Sequence, residues 1–152
     1  MALTNKELVL NSLHEAGRTD AMNLRADAVE GRVTDTEIID RETAVPDWDN
    51  KRDYTHAAVG TPVIHEGQVY GLLQPHNASY YPGVTPPEMP AMWRVKHTTN
   101  PDKAKPWVKP TSTSDMYLVG ECMIWTDGKT YRAVRDTNFS PAEYAGDWET
   151  VI

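Results

Sequence analysis

The sequence holds one cysteine, Cys122, among its 152 residues, so an intrachain disulfide framework is excluded. Its surroundings, Gly120-Glu121 and Met123-Ile124-Trp125, read as a buried strand, and a structural thiol is expected. No apolar run approaches the roughly 18 residues that a membrane helix needs. The opening Met1–Gly17 stretch lacks the basic-then-apolar order of a signal peptide, so synthesis in the cytoplasm without membrane insertion is expected. Positive charge is scarce: 15 Lys and Arg stand against 22 Asp and Glu, for a net charge of -7. That balance disfavours nucleic acid and anionic membrane surfaces as partners.

Motifs of catalysis are missing as well. There is no phosphate-binding glycine loop, serine elbow, zinc pattern or calcium loop. His56, His65 and His76 lack ligand spacing, so neither metal nor cofactor is expected. Glu66 and Asp127 each precede a glycine at a turn, where they serve backbone geometry rather than acid–base chemistry. The expectation is a protein that is not an enzyme.

Proline and aromatic residues are absent before Pro46, and that first region reads as helix. Thr4-Asn5-Lys6-Glu7 has the capping-box form, and Leu8, Leu10, Leu13 and Ala16 follow before Gly17, which is expected to stop the helix. A second helix is expected from Asp20 to Glu30, with Leu24, Ala28 and Val29 on one side and a stop at Gly31. Thr34-Asp35-Thr36-Glu37 repeats the capping box before Ile38 and Ile39. Helices so thinly apolar gain stability by docking on something. Leu3, Leu10 and Leu24 stand at multiples of seven, with Gly17 in the missing place. The arm either lies on its own domain or binds a partner or sibling chains, and Leu3, Leu10, Leu13 and Leu24 are its candidate partner contacts.

From Pro46 onward the pattern changes to strands and turns. "TPVIHEGQVYGLL" and "CMIWTDGKTYRAV" each place short apolar runs around a two-residue turn ending in glycine. The stretches Glu66–Ser79 and Asp127–Ser140 share Gly67/Gly128, Tyr70/Tyr131, Asn77/Asn138 and Ser79/Ser140 at identical spacing. Each hairpin is preceded by Trp, Tyr and Gly and followed by Pro and a final Trp, so an internal repeat is present. The two Asn side chains are expected to cap a repeated turn. The fold class expected is mainly β with an N-terminal α-helical arm, carrying two small three-stranded β modules in tandem. The divisions are an arm over 1–45, module 1 over 46–97, a polar linker over 98–106 and module 2 over 107–152. Module 1 carries an insertion, "YYPGVTPPEMPAM", expected to be an ordered loop without regular structure. In units this small Trp48, Trp93, Trp107 and Trp148 are expected to fill the cores.

The order Trp, Tyr, Gly, strand, Gly-x-x-Tyr, strand, Asn or Thr, Pro, Trp resembles the chitin-binding modules of carbohydrate-binding families 5 and 12. The resemblance is clearest over Trp107–Val151 and looser in module 1. It implies compact three-stranded β units of the kind appended to chitinases and found in bacteriophage tail and fibre proteins. Family members carry aromatics just after the second hairpin strand, where this chain has Leu73-Gln74-Pro75 and Val134-Arg135-Asp136. Candidate glycan contacts are therefore Tyr80 and Tyr81, beside Pro82-Gly83, and Trp125, which alternation would leave exposed on its strand.

The resemblance implies a virion protein of tail, baseplate or fibre. Its arm would anchor it to other virion proteins or to sibling chains in a homo-oligomer, and its modules would face a cell-surface glycan. Two other readings stand beside it: an accessory glycan-binding module of a polysaccharide hydrolase, and a decoration protein without a ligand.

Overall fold

In the computed structural model, residues 4–151 are described. Leu3 lies outside the described residues, as does the Leu13 side chain. The chain is mainly β with an N-terminal helix. Helix α1 runs over Asn5–Val29 and α2 over Asp35–Asp40. Strands β1 (Pro62–His65), β2 (Gln68–Leu72) and β3 (Trp93–Val95) form one antiparallel sheet in that order. Strands β4 (Lys105–Pro106), β5 (Cys122–Ile124), β6 (Thr130–Ala133) and β7 (Trp148–Thr150) form the other. Two-residue β4 joins β5 in parallel and adds a strand to the three expected of module 2.

The expected stop at Gly17 does not occur, and α1 is one helix of 25 residues. A lone glycine costs a helix interior only about 1 kcal/mol, and neither proline nor a capping turn reinforces it here. Termination comes at Gly31, whose φ of 71° completes a Schellman cap. There the Arg32 N–H donates to the Asp27 carbonyl at 2.8 Å and the Gly31 N–H to that of Ala28 at 3.3 Å. The second capping box forms as expected: Thr34 Oγ1 accepts from the Glu37 N–H at 3.1 Å, and the Glu37 carboxylate accepts from the Thr34 N–H at 3.3 Å.

Strand alternation gives the first sheet two apolar faces. Val63, Tyr70, Leu72, Trp93 and Val95 turn inward, where they meet Tyr54, Ala78 and Met89. Ile64 and Val69 turn outward beneath Leu24, Ile38, Ile39 and Val45. The second half of the arm is thus a layer of module 1. An acid–base cluster fastens its edge: Asp35 accepts from Arg94 and from the buried Lys96, each at 2.9 Å. Burial opposes the charge of Asp35, but Lys96 and Arg94 together hold its carboxyl below the ordinary range.

Module 2 repeats these backbone bonds nearly atom for atom. The Trp48 N–H donates to the Ile64 carbonyl at 2.8 Å, and the Trp107 N–H to that of Ile124 at 2.9 Å. The Tyr54 hydroxyl accepts from the Asp49 N–H at 3.0 Å, and the Tyr117 hydroxyl from the Val108 N–H at 3.1 Å. The core of module 2 is Tyr117, Met123, Ala133 and Trp148, with Trp107, Trp125 and Tyr131 packed against it.

The 98–106 stretch, expected as a linker, is woven into the structure instead. The Cys122 N–H donates to the Thr98 carbonyl at 2.7 Å, and Asn100 donates to the Asp40 carboxylate at 3.0 Å. Just before it, His97 stacks on Tyr117 with ring centroids 3.7 Å apart. Its Nε2 lies 2.9 Å from the Asp115 carbonyl. Burial pushes the imidazole down to about 4, so at neutral pH it sits there uncharged, with Nε2–H as donor.

Candidate functional site

Among the predicted contacts, Tyr80 is the most open, at 78% exposed, with Tyr81 at 41%. Both lie where a short 3-10 turn, Ala78–Tyr80, leaves the module. Asn77 caps that turn by accepting from the Ser79 N–H at 3.0 Å, as expected. Beneath it Tyr81 meets the edge of His76, which is buried against Trp93 and Tyr54. His76 Nδ1 bonds the Gln74 carbonyl at 2.9 Å, while its Nε2 and the Trp93 Nε1 are buried without a hydrogen-bond partner. The insertion behind, expected to lack regular structure, contains a short 3-10 turn, Pro86–Glu88: Pro86 and Met89 are buried, and the Thr85 N–H and hydroxyl donate to the Glu88 carboxylate at 3.3 and 2.7 Å.

Trp125 is half-buried rather than exposed. It stands past the end of β5, at the first position of a turn in which the Gly128 N–H donates to its carbonyl at 2.9 Å. From there the indole folds back edge-on to Trp107, at 5.8 Å between centroids. In module 1 the equivalent turn differs: Glu66 and Gly67 both take positive φ, of 49° and 79°. That pairing is the primed hairpin turn, and it keeps His65 in the strand.

Of the predicted arm contacts, Leu10 is 45% exposed and Leu24 is 0% exposed. Leu24 is therefore core, enclosed by α2 and Val69, and is withdrawn from any partner surface. Leu8 and Val9 are exposed beside Leu10. No described side chain from Asn5 to Asp20 is buried, whereas from Leu24 onward the helix is packed.

A further pair was not predicted. Phe139 and Tyr144 are 51% and 55% exposed, their ring centroids 6.0 Å apart and planes tilted by 32°. They flank a tight turn in which the Ser140 hydroxyl accepts from the Glu143 N–H and the Glu143 carboxylate accepts from the Ser140 N–H, both at 3.2 Å. That turn was legible as Ser140-Pro141-Ala142-Glu143, a capping box with proline in its first turn. The rings border a cleft of about 360 Å³ whose floor includes Thr137 and Asp147. The expected cap by Asn138 is not made. Thr137 takes that role, its hydroxyl accepting from the Phe139 N–H at 2.9 Å.

Another cleft, of about 490 Å³, lies between α1 and the 46–63 segment. Its charges are of both signs, and Arg52 lies over the Tyr54 ring at 5.6 Å. Among the described residues no three His, Cys, Asp or Glu side chains converge as a metal-binding group. The Cys122 thiol is buried, as expected, and burial pushes its pKa up, which makes it a poor nucleophile. These surfaces present flat rings, an amide and ion pairs at a rim. No protein-family model matches this chain, and no curated protein matches it.

Proposed function

We propose that this chain is a non-enzymatic structural and adhesion component of a bacteriophage particle, on its tail, baseplate or a fibre. The first half of α1 joins it to sibling chains and to neighbouring virion proteins, while the two β modules project toward a cell-surface glycan. One observation carries the reading: α1 is divided in burial along its length. Its second half is core, but from Asn5 to Asp20 its described side chains, Leu8, Val9 and Leu10 among them, are exposed. A helical stretch of that length is marginal in water by itself, so a neighbour supplies the missing contacts. The placement in a virion rests on the resemblance of the tandem modules to families 5 and 12. The exposed Tyr80 and Tyr81 support adhesion, since flat rings pack on the apolar faces of sugars.

A second reading is a decoration protein without a ligand. It is favoured by the five tryptophans, each buried or half-buried and none exposed. Retention on insoluble chitin and on purified bacterial cell walls separates the two. Adhesion predicts that the unmodified chain is retained and that Tyr80→Ala with Tyr81→Ala weakens retention. If neither material retains the unmodified chain, only the decoration reading survives.

A further inference from the structure

Most residues that line the Phe139–Tyr144 cleft have different counterparts in module 1. Where module 2 has Arg135, Asp136, Thr137 and Phe139, module 1 has Gln74, Pro75, His76 and the buried Ala78. The Val134 N–H donates to the Asp147 carbonyl at 2.8 Å, and the matching Leu73 N–H donates to Met92 at 2.7 Å. Module 1 therefore places Met92 where module 2 places a carboxylate. The scaffold does not require any of these residues, because module 1 makes the same fold without them.

Around the cleft the backbone that carries the two rings is tied down, although the rings face solvent. Phe139 is fixed through its backbone: its N–H donates to Thr137 Oγ1, and its carbonyl accepts from Trp148 Nε1–H at 2.8 Å. Tyr144 is fixed by its N–H donating to the Ser140 carbonyl at 2.9 Å. Asp147, 4% exposed, accepts from Thr137 Oγ1 at 2.7 Å, and its Oδ1 lies 3.0 Å from Nε of the largely exposed Arg135 as an ion pair without an aligned hydrogen bond. Asp136 keeps one carboxylate oxygen on the Val119 N–H at 2.8 Å. Among the described residues the exposed Asn138 amide has no side-chain hydrogen bond.

Two exposed rings on a braced turn, beside polar groups already oriented, form a preorganised recognition surface. Its chemistry selects the ligand. A nucleic acid or other polyanion meets the exposed carboxylate of Asp136, and an organic cation meets Arg135. A lipid chain finds apolar contact on two rings only. A pyranose ring satisfies both parts, with its C–H face on the aromatics and its hydroxyls on planar side chains that donate and accept in pairs.

We infer that the Phe139–Tyr144 cleft is a saccharide-binding site, in which one pyranose ring of a neutral glycan stacks on the two rings. Asn138, Arg135 and Asp136 hydrogen-bond its hydroxyls. The inference rests on the adhesion reading above and places its main contact on module 2, with Tyr80 and Tyr81 secondary.

The test uses the full chain on insoluble chitin, microcrystalline cellulose and purified bacterial cell walls, with a soluble N-acetylglucosamine hexamer as competitor on chitin. Phe139→Ala with Tyr144→Ala is expected to lower retention at least tenfold, with the thermal unfolding midpoint unchanged because the rings are exposed. Asn138→Ala is expected to lower it severalfold. Should the double variant lose its unfolding transition, Asn138→Ala decides the matter alone. Retention of the aromatic or Asn138 variants equal to that of the unmodified chain overturns the inference and leaves the adhesion reading standing. No retention of the unmodified chain on any of the three materials overturns both.

Discussion

Val69 and Thr130 occupy the same place in two hairpins built alike, yet their surroundings differ. Val69 is fully buried beneath Leu24, Ile38 and Ile39, whereas Thr130 is only partly covered on a strand whose outward neighbour, Arg132, pairs with Glu149. The shared glycines, tyrosines and tryptophans build the scaffold twice, and the residues between them decide what each outer face meets. An apolar outer face in module 1 obliges the chain to supply a cover, which α1 and α2 provide. A polar outer face in module 2 needs none, and that module carries the open cleft.

The largest effect is expected at Leu24. Leu24→Ala leaves a cavity under the arm and should cost roughly 2–5 kcal/mol in urea unfolding. A loss below about 1 kcal/mol would mean that the arm is not part of the module 1 core.

Acid should act at the join between the modules. His97 is held neutral, its pKa pushed down from 6.5 to about 4 by burial. Between those two values the unfolded chain binds a proton that the native chain refuses. The stabilising contribution is whole above pH 6.5 and is lost as pH falls toward 4, by up to about 3 kcal/mol. Glu121 works in the other direction. Burial raises its carboxyl from 4.5 to about 6, so its effect is favourable at low pH, is lost as pH rises through 6, and partly offsets that of His97. His97→Phe keeps a ring on Tyr117 and should flatten the acid limb, as read by denaturant unfolding between pH 7 and 4.

Exchanging the outer faces sharpens the contrast at a smaller scale. Val69→Thr buries a hydroxyl among apolar side chains and should cost about 1–3 kcal/mol. Thr130→Val should stay within about 0.5 kcal/mol of the unmodified chain. Equal effects in thermal unfolding would show that the two faces are not distinct. The smallest effect belongs to Tyr80→Ala with Tyr81→Ala, expected to shift stability by under about 1 kcal/mol while altering glycan retention.

Much of this contrast was legible in the chain. Glycine after Glu66 and after Asp127 marked both hairpins, and the Trp–Tyr–Gly order marked the repeat. The capping box at Thr34 and the stop at Gly31 also follow from local chemistry. Long-range competition hid the rest. Gly17 stays helical because its penalty is small against the flanking turns. Trp125 is drawn in because its turn begins one residue before the alternation would place it on a strand. Leu24 looked like a heptad position, but Val69, far along the chain, claims it. Thr98 and Lys105 read as a polar linker because their partners lie on module 2 and on the arm. The pair Phe139 and Tyr144 was within reach of sequence, since the capped turn between them brings residues on either side together.

Helix α1 is packed in its second half, and its exposed first half is the docking surface proposed above. Light scattering of the full chain, set against a variant carrying Leu8→Gln, Val9→Gln and Leu10→Gln, tests it most directly. These substitutions keep helix propensity and leave the Leu24 core untouched. The unmodified chain is expected to have the mass of more than one copy, and the variant, still folded, the mass of one. An unmodified chain at the mass of a single copy, or a variant that assembles equally well, would contradict it.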